Sequence, residues 1–360
     1  MHLSCYTGAQ TKLLETPLTI PARIAGLGKY LPERVVTNFD LEKMVETSDA
    51  WIRDRTGVRE RHVAADDETA STMAVLAARQ ALAQAEVDPM ELDLIIGATT
   101  SPDGMFPAIA SLVQHGLGAR RAAAFDINAA CVGFLTAFAT ASQFILSGTY
   151  QRVLVVGSEV LSRIVDWSDR GTCVLFGDGA GAVVLEAAKR GEPFSFVFHS
   201  DGGGADKLFA HGPCSQPGEA DPGCYFIQMD GPHIFKFAVQ AMEQATREAV
   251  QAAGLTVDDI DLLIPHQANL RIIDATAKRL GLPPERCMTN VDRYGNTSSA
   301  SIPLALREAW EQGRLHEGDR VVFVAFGGGL VWGALLLEWA PVGPVPAASR
   351  EAARVTGGGS

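Results

Sequence analysis

Residues 77–100, AARQALAQAEVDPMELDLIIGATT, and residues 245–269, ATREAVQAAGLTVDDIDLLIPHQAN, share one grammar. Each opens with an alanine-rich stretch of helical spacing, passes through a short polar turn, and ends in an acidic residue followed by an apolar run of the kind that makes a buried strand. The two are offset by roughly 168 residues, and the same offset relates YQRVLVVGSE (150–159) to GDRVVFVAFG (318–327). Glycine-rich hairpins, FGDGAGAVVLE (176–186) and FGGGLVWGALLLE (326–338), close the two halves. Helix and buried-strand patterns in alternation predict an α/β fold with largely parallel sheets, here as two halves about a pseudo-dyad.

The repeat also aligns three chemically interesting residues. His266 falls level with Ala98 at a strand end, while Cys131 and Asn296 both fall just before the helix that follows a strand. Strand C-termini are where α/β folds build their sites, so all three are expected near the dyad. Taken singly, each has an ordinary explanation: a cysteine as a small buried hydrophobe, a histidine as a structural residue, an asparagine after glycine as a turn. Together, a cysteine with a distant His and Asn forms a nucleophile pattern. Cys131 stands in AFDINAACVGFLTAFATA (124–141), a strand running into an apolar helix. The helix N-terminus favours the thiolate, and a helix apolar on all sides is buried, which places the thiol at the end of a tunnel.

Composition narrows the classes. The chain has 360 residues, 47% of them apolar and 20% charged, with a formal net charge of −12. That sign argues against general nucleic-acid binding, and an acidic partner would need a local basic patch. Arg271, Lys278 and Arg279 supply one at i, i+7, i+8 of a helix, with Lys236 as a plausible neighbour. No apolar run approaches a membrane span and no signal-peptide pattern opens the sequence, so a cytoplasmic location is expected. The six cysteines show no CxxC pair and no zinc spacing, and the glycine-rich runs match no phosphate or dinucleotide fingerprint, so neither a metal nor a nucleotide cofactor is expected. The expected organisation is an N-terminal extension (1–22), a first half (23–190), a second half (191–340) and a Pro/Ala/Gly-rich tail (341–360), both ends flexible.

WIRDRTGVRERH, DINAACVGF, DRGTCVLFGDGAGAVVLE, IPHQANLRII, RYGNTSSASIPLAL and FGGGLVWGALLLE, in this order, resemble the motifs of β-ketoacyl-[acyl-carrier-protein] synthase III, a thiolase-like family that initiates type II fatty-acid synthesis. The likeness runs from about Arg23 to Trp339. It implies a thiolase-like fold, two central mixed sheets in a five-layered αβαβα body. It also implies a reaction: Cys131 takes the acyl group of a short acyl-CoA, and decarboxylative condensation with malonyl-[acyl-carrier-protein] follows, His266 and Asn296 serving the enolate. The resemblance places oxyanion donors at the backbone of Cys131 and Gly328. It further implies that Trp51 and Arg170 sandwich adenine, with Arg55 and Thr56 near the nucleotide and Asn269 near pantetheine. Pro232 stands where the family usually has Asn, a departure at one pantetheine contact. Carrier-protein docking falls on Gln267, Ala268, Asn269, Leu270, Arg271, Lys236, Lys278 and Arg279. The acyl pocket falls on Leu161, Phe176, Phe326 and Phe106, the last reaching across a homodimer interface to limit the primer to acetyl-CoA or a similar short chain. Acyl-CoA enters as substrate, with no cofactor.

Three other readings share some of these residues. A thiolase-fold acyltransferase supplying starter units to a secondary-metabolite pathway uses the same cysteine. A Cys-His-Asn hydrolase lacks its own motifs here, and a non-catalytic partner subunit would not need Cys131, His266 and Asn296 together.

Overall fold

In the strand Leu94–Ala98 all five residues are buried, which marks it as central. It pairs in parallel with Ala123–Ile127 on one side and Arg152–Glu159 on the other. Arg152–Glu159 then pairs antiparallel with the start of a long strand, Gly179–Ser200, whose other edge takes Thr19–Tyr30. The second half repeats the plan: Leu262–Pro265 lies parallel to Arg320–Gly327, which turns back into Val331–Glu338. Val331–Glu338 pairs antiparallel with the far end of the long strand, from Phe194 to Ser200. Two mixed sheets are thus joined through one strand, which crosses the 190/191 boundary drawn from the sequence. The computed structural model describes residues 19–212 and 225–343. The expected terminal tails lie mostly outside them, as do Cys5, Cys214 and Cys224; the first strand begins at Thr19, ahead of Arg23.

Strand side chains alternate between faces, and here each face feeds a different core. Leu94, Ile96, Val153 and Val155 enter a central core with Phe323 and Ala325, while Ile95, Leu154 and Val156 enter an outer one. In the second sheet Val322, Val324 and Phe326 serve the opposite outer core. Helices Gly133–Leu146 and Ser301–Glu311 fill the space between the sheets through Phe134, Phe138, Leu306 and Trp310. Ala70–Ala85 and Ile109–Leu117 cover the first sheet, and Gly231–Ala252 and Leu270–Leu280 cover the second. The result is the five-layer helix–sheet–helix–sheet–helix body that the resemblance implies. Alanines on the first covering helix matter for this spacing. A Cβ at Gly28 would lie 1.9 Å from the Ala77 carbonyl oxygen, so the helix rests directly on the strand and a side chain there would force the layers apart. Among the described residues no helix is long and apolar enough to cross a membrane.

Candidate active site

The strand Ala123–Ile127 delivers the chain to a short 3₁₀ turn, Ala130–Val132, and the helix Gly133–Leu146 follows. Cys131 is the middle residue of that turn. Ala130 before it has φ 45°, a left-handed conformation that an L side chain resists and that costs about 1–3 kcal/mol. Ser298, facing the thiol from the second half, has the same φ of 45°. A Cβ at Gly327 would come within 2.8 Å of the Cys131 nitrogen, so the end of the strand Arg320–Gly327 is pressed against the nucleophile turn. Sequence reasoning singled out Gly328; that residue lines the cavity, but the close approach to the cysteine backbone belongs to Gly327.

Burial dominates the cysteine's acidity. It pushes the thiol up to about 12, against a lowering hydrogen bond with Ser298, and the carboxylate of Glu159 adds to the rise. The helix terminus was expected to favour thiolate. Enclosure acts the other way, because an apolar surround penalises the charged form. The resting nucleophile is therefore a thiol whose proton must leave during attack.

His266 follows the strand Leu262–Pro265 and is buried. Its Nδ1 lies 2.6 Å from Ser301 Oγ, which also accepts the Gln267 N–H at 3.2 Å. Among the described residues this hydroxyl has no other acceptor for its own proton, so that proton turns to Nδ1 and Nε2 carries the ring proton. Burial lowers the imidazole from 6.5 to about 3, so it stays neutral and acts as a donor. The Phe326 ring meets it edge-on, centroids 5.6 Å apart. Asn296 stands two residues ahead of the turn Ser298–Ala300 that leads into the helix Ser301–Glu311, and the place that Cys131 holds at the centre of its own turn is taken here by Ser299. Asn296 Oδ1 accepts the Ser298 N–H at 2.9 Å, which leaves the amide N–H groups for the cavity. The two polar groups offered to that space are both donors.

Cys131, His266 and Asn296 all open into one cavity of about 730 Å³. Leu161, Phe176 and Phe326 form part of its wall, as expected of an acyl pocket. Phe106 does not: it is 84% exposed on the outer surface, and no wall of this chain's own cavity includes it. At the mouth, the helix Asp49–Thr56 sets Trp51 and Arg55 four residues apart on one face. Arg170 lies over the Trp51 ring at 5.1 Å and donates to the Glu46 carbonyl oxygen at 3.1 Å. An aromatic ring between them needs faces about 7 Å apart, two van der Waals contacts, so the guanidinium must lift to admit one. Thr56 lines the cavity but donates its hydroxyl to the Ile52 carbonyl oxygen. Asn269 caps the helix Leu270–Leu280 by accepting the Arg271 N–H and donates to the Arg55 carbonyl oxygen, tying the two mouth helices together. Pro232 sits in the first helical turn of Gly231–Ala252, where a missing N–H costs nothing, and lines the cavity.

The basic residues divide. Arg271, Lys278 and Lys236 are exposed, Arg271 over the Phe235 ring at the cavity mouth. Arg279 is paired with Glu243 at 2.5 Å, so its charge is partly spent within the fold. Leu270 packs against Gly57, where a Cβ would meet it at 2.4 Å. Gln267 needs correction as a docking residue. It is fully buried, donates to the carbonyl oxygens of Pro265 and Met288, and accepts from the N–H groups of Asn290 and Val291, which leaves nothing for a partner. Ala268 is also buried and faces the cavity.

Sequence reasoning missed Ser298, Ser301 and Glu159. The run NTSSAS carried a signal, since four small hydroxyl residues ahead of an apolar helix exceed what one cap requires. An acid at the end of the apolar strand VLVVGSE was another.

Comparison with known proteins agrees with this geometry. A family model described as 3-oxoacyl-[acyl-carrier-protein] synthase III matches residues 125–202, and one described as the C-terminal part of that synthase matches residues 250–339. A β-ketoacyl-[acyl-carrier-protein] synthase III from Symbiobacterium thermophilum is 55% identical over 324 residues, covering 89% of this chain and 98% of its own. The crystal structure of 3-oxoacyl-[acyl-carrier-protein] synthase III from Aquifex aeolicus matches with a TM-score of 0.84 at 48% identity, covering 88% of this chain and 100% of its own. The priming β-ketosynthase of a polyketide biosynthetic pathway matches with a TM-score of 0.85 at 38% identity, covering 92% and 99%.

Proposed function

The chain belongs to the β-ketoacyl-[acyl-carrier-protein] synthase III family, and from that premise we propose that it condenses a short acyl-CoA, acetyl-CoA above all, with malonyl-[acyl-carrier-protein]. It is an acyltransferase of the condensing type that initiates fatty-acid synthesis. One observation carries the reading: a thiol from one half and two fixed N–H donors from the other open into a single largely apolar cavity.

In the first step the Cys131 sulfur attacks the thioester carbonyl, the bond to CoA sulfur breaks, and the thiol proton leaves with CoA. Backbone N–H groups at Cys131 and Gly328 suit the transient oxyanion. In the second, the malonyl carboxylate departs as carbon dioxide and the electron pair moves onto the thioester oxygen as an enolate. His266 Nε2–H and the Asn296 amide donate to that oxygen, and the apolar wall at Phe176 and Phe326 disfavours the carboxylate beforehand. The enolate carbon then bonds to the acyl carbonyl. The carbon–sulfur bond to Cys131 breaks, and the sulfur takes up one proton. No cofactor is needed for either step.

A homodimer and a short primer belong to the same reading. Phe106 and Met105, 84% and 67% exposed, stand on one loop, and the strand Ala123–Ile127 lies at the sheet edge with its residues half-exposed. Pairing of two such edges would bury both and bring Phe106 to the partner's cavity. Arg271, Lys278 and Lys236 suit an acidic carrier protein. Starter-unit supply to a polyketide is the second reading; the higher identity to the Symbiobacterium relative favours fatty-acid synthesis. The test is carbon dioxide release from malonyl-carrier protein with a panel of acyl-CoAs, alongside sedimentation. Release with acetyl-CoA by a dimer is expected; release only with long primers, or by a monomer, overturns the corresponding part.

A further inference from the structure

Glu159 ends the strand Arg152–Glu159, is fully buried, and makes no ion pair among the described residues. A carboxylate without a cation persists in such a place only if donors saturate it. Those donors come from two loops. Oε2 accepts from Thr99 Oγ1 at 3.2 Å, Thr100 N and Oγ1 at 3.0 Å, Ser101 N at 3.1 Å and Ser101 Oγ at 2.6 Å. Oε1 accepts from Ser299 N at 3.3 Å and Thr100 N at 3.2 Å, and it lies 2.8 Å from Ser299 Oγ, whose one proton it shares with the Ala98 carbonyl oxygen at the same distance. The first loop belongs to the first half of the chain, the second to the other half.

Each loop leads to a part of the site. Thr100 is in the cavity wall, and beyond it the chain runs out to Phe106. That outward run is held further by Asp103, which accepts from Ser71 and Thr69, and by Asp126, which accepts the N–H groups of Ile109 and Ala110. Ser299 follows Ser298, whose N–H fixes Asn296 Oδ1 and whose side chain hydrogen-bonds the Cys131 thiol. We propose that Glu159 is a positioning residue that ties the loop bearing Phe106 to the loop bearing Asn296, so that one carboxylate sets both primer length and decarboxylation. This rests on the reading of Phe106 as the end of a partner subunit's acyl pocket. Glu159 itself touches no reacting atom; apart from the rise its charge adds to the Cys131 thiol, it acts through Ser101 on one side and Ser299 on the other.

The test compares Glu159→Gln, Ser101→Ala and Ser299→Ala, with Phe106→Thr run beside them to examine the pocket reading itself. Two quantities are read: the ratio of hexanoyl to acetyl loading by intact mass, and the condensation rate of enzyme already carrying acetyl. Ser101→Ala is expected to raise the ratio and Ser299→Ala to lower the rate. Glu159→Gln puts an amide N–H among donors and is expected to do both, each by about tenfold, the scale of one lost charge-assisted hydrogen bond. The proposal is overturned if Glu159→Gln moves only one quantity, or if the two serine variants each move both alike. Should Glu159→Gln fail to fold, separation of the two serine effects supports the proposal and its absence overturns it. If Phe106→Thr leaves the ratio unchanged, the pocket reading fails and so does the length half of the proposal. The link to decarboxylation then stands or falls on Glu159→Gln and Ser299→Ala.

Discussion

Replacing Ser301 with Ala removes the hydroxyl that sets the His266 tautomer, without touching the cavity wall. In the native protein Ser301 Oγ is 2.6 Å from Nδ1 and takes the Gln267 N–H. The opposite tautomer would leave the serine proton without an acceptor in a buried place. Loss of a neutral hydrogen bond is worth about 0.5–1.5 kcal/mol, so the fraction of His266 presenting Nε2–H in the right orientation should fall by about 2- to 10-fold. That is well short of the hundredfold or greater loss expected when an oxyanion donor is deleted outright, as in His266→Ala. The assay is single turnover in two stages: acetyl loading from acetyl-CoA, then condensation with malonyl-carrier protein. Loading should be unchanged and condensation slower by the stated factor. Because burial holds His266 at about 3, the condensation rate should show no inflection near 6.5 in either protein. A variant with equal losses in both stages, or a native inflection near 6.5, would refute a neutral donor fixed by Ser301.

Three further outcomes follow from the same geometry. With the Cys131 thiol pushed up to about 12, alkylation by iodoacetamide should accelerate about tenfold per pH unit from about pH 6 to about pH 9; a plateau near the ordinary cysteine value would mean that enclosure does not control the thiol. Arg170→Ala should raise KM for acetyl-CoA with kcat nearly unchanged, because the contact to Trp51 lies at the mouth, remote from the reacting atoms; a matching fall in kcat contradicts this. Charge reversal at Lys278 should weaken use of malonyl-carrier protein by several-fold at low salt, and added salt should narrow the difference from native enzyme, since exposed charges act mainly on encounter. A defect that persists at high salt would point to packing instead.

The duplication was legible because buried strands need continuous apolar runs, and both halves write them at the same spacing. Strand ends then located Cys131, His266 and Asn296 without any tertiary information. What the sequence concealed were groups whose meaning depends on a partner far along the chain. Gln267 stands beside His266 and looks polar and available, yet four backbone groups consume it. Glu159 and Ser299 are 140 positions apart and meet only when the halves close. The thiol's acidity follows the same rule: a helix terminus is visible locally, whereas the enclosure that raises the thiol is assembled from both sheets. The midpoint of the strand Gly179–Ser200 reads KRGEP, charges with a glycine and a proline that signal a turn in sequence, yet the extended backbone runs through it from one sheet into the other.

The central claim is that Cys131 carries the acyl group between two thioesters. Intact-mass measurement after mixing with acetyl-CoA tests it most directly, on native protein and on Cys131→Ala. The native chain should gain one acetyl increment, which disappears on adding malonyl-carrier protein as 3-oxoacyl product forms, and Cys131→Ala should gain none while remaining folded. An acetyl increment on Cys131→Ala, or a native increment that malonyl-carrier protein cannot discharge, would contradict the account.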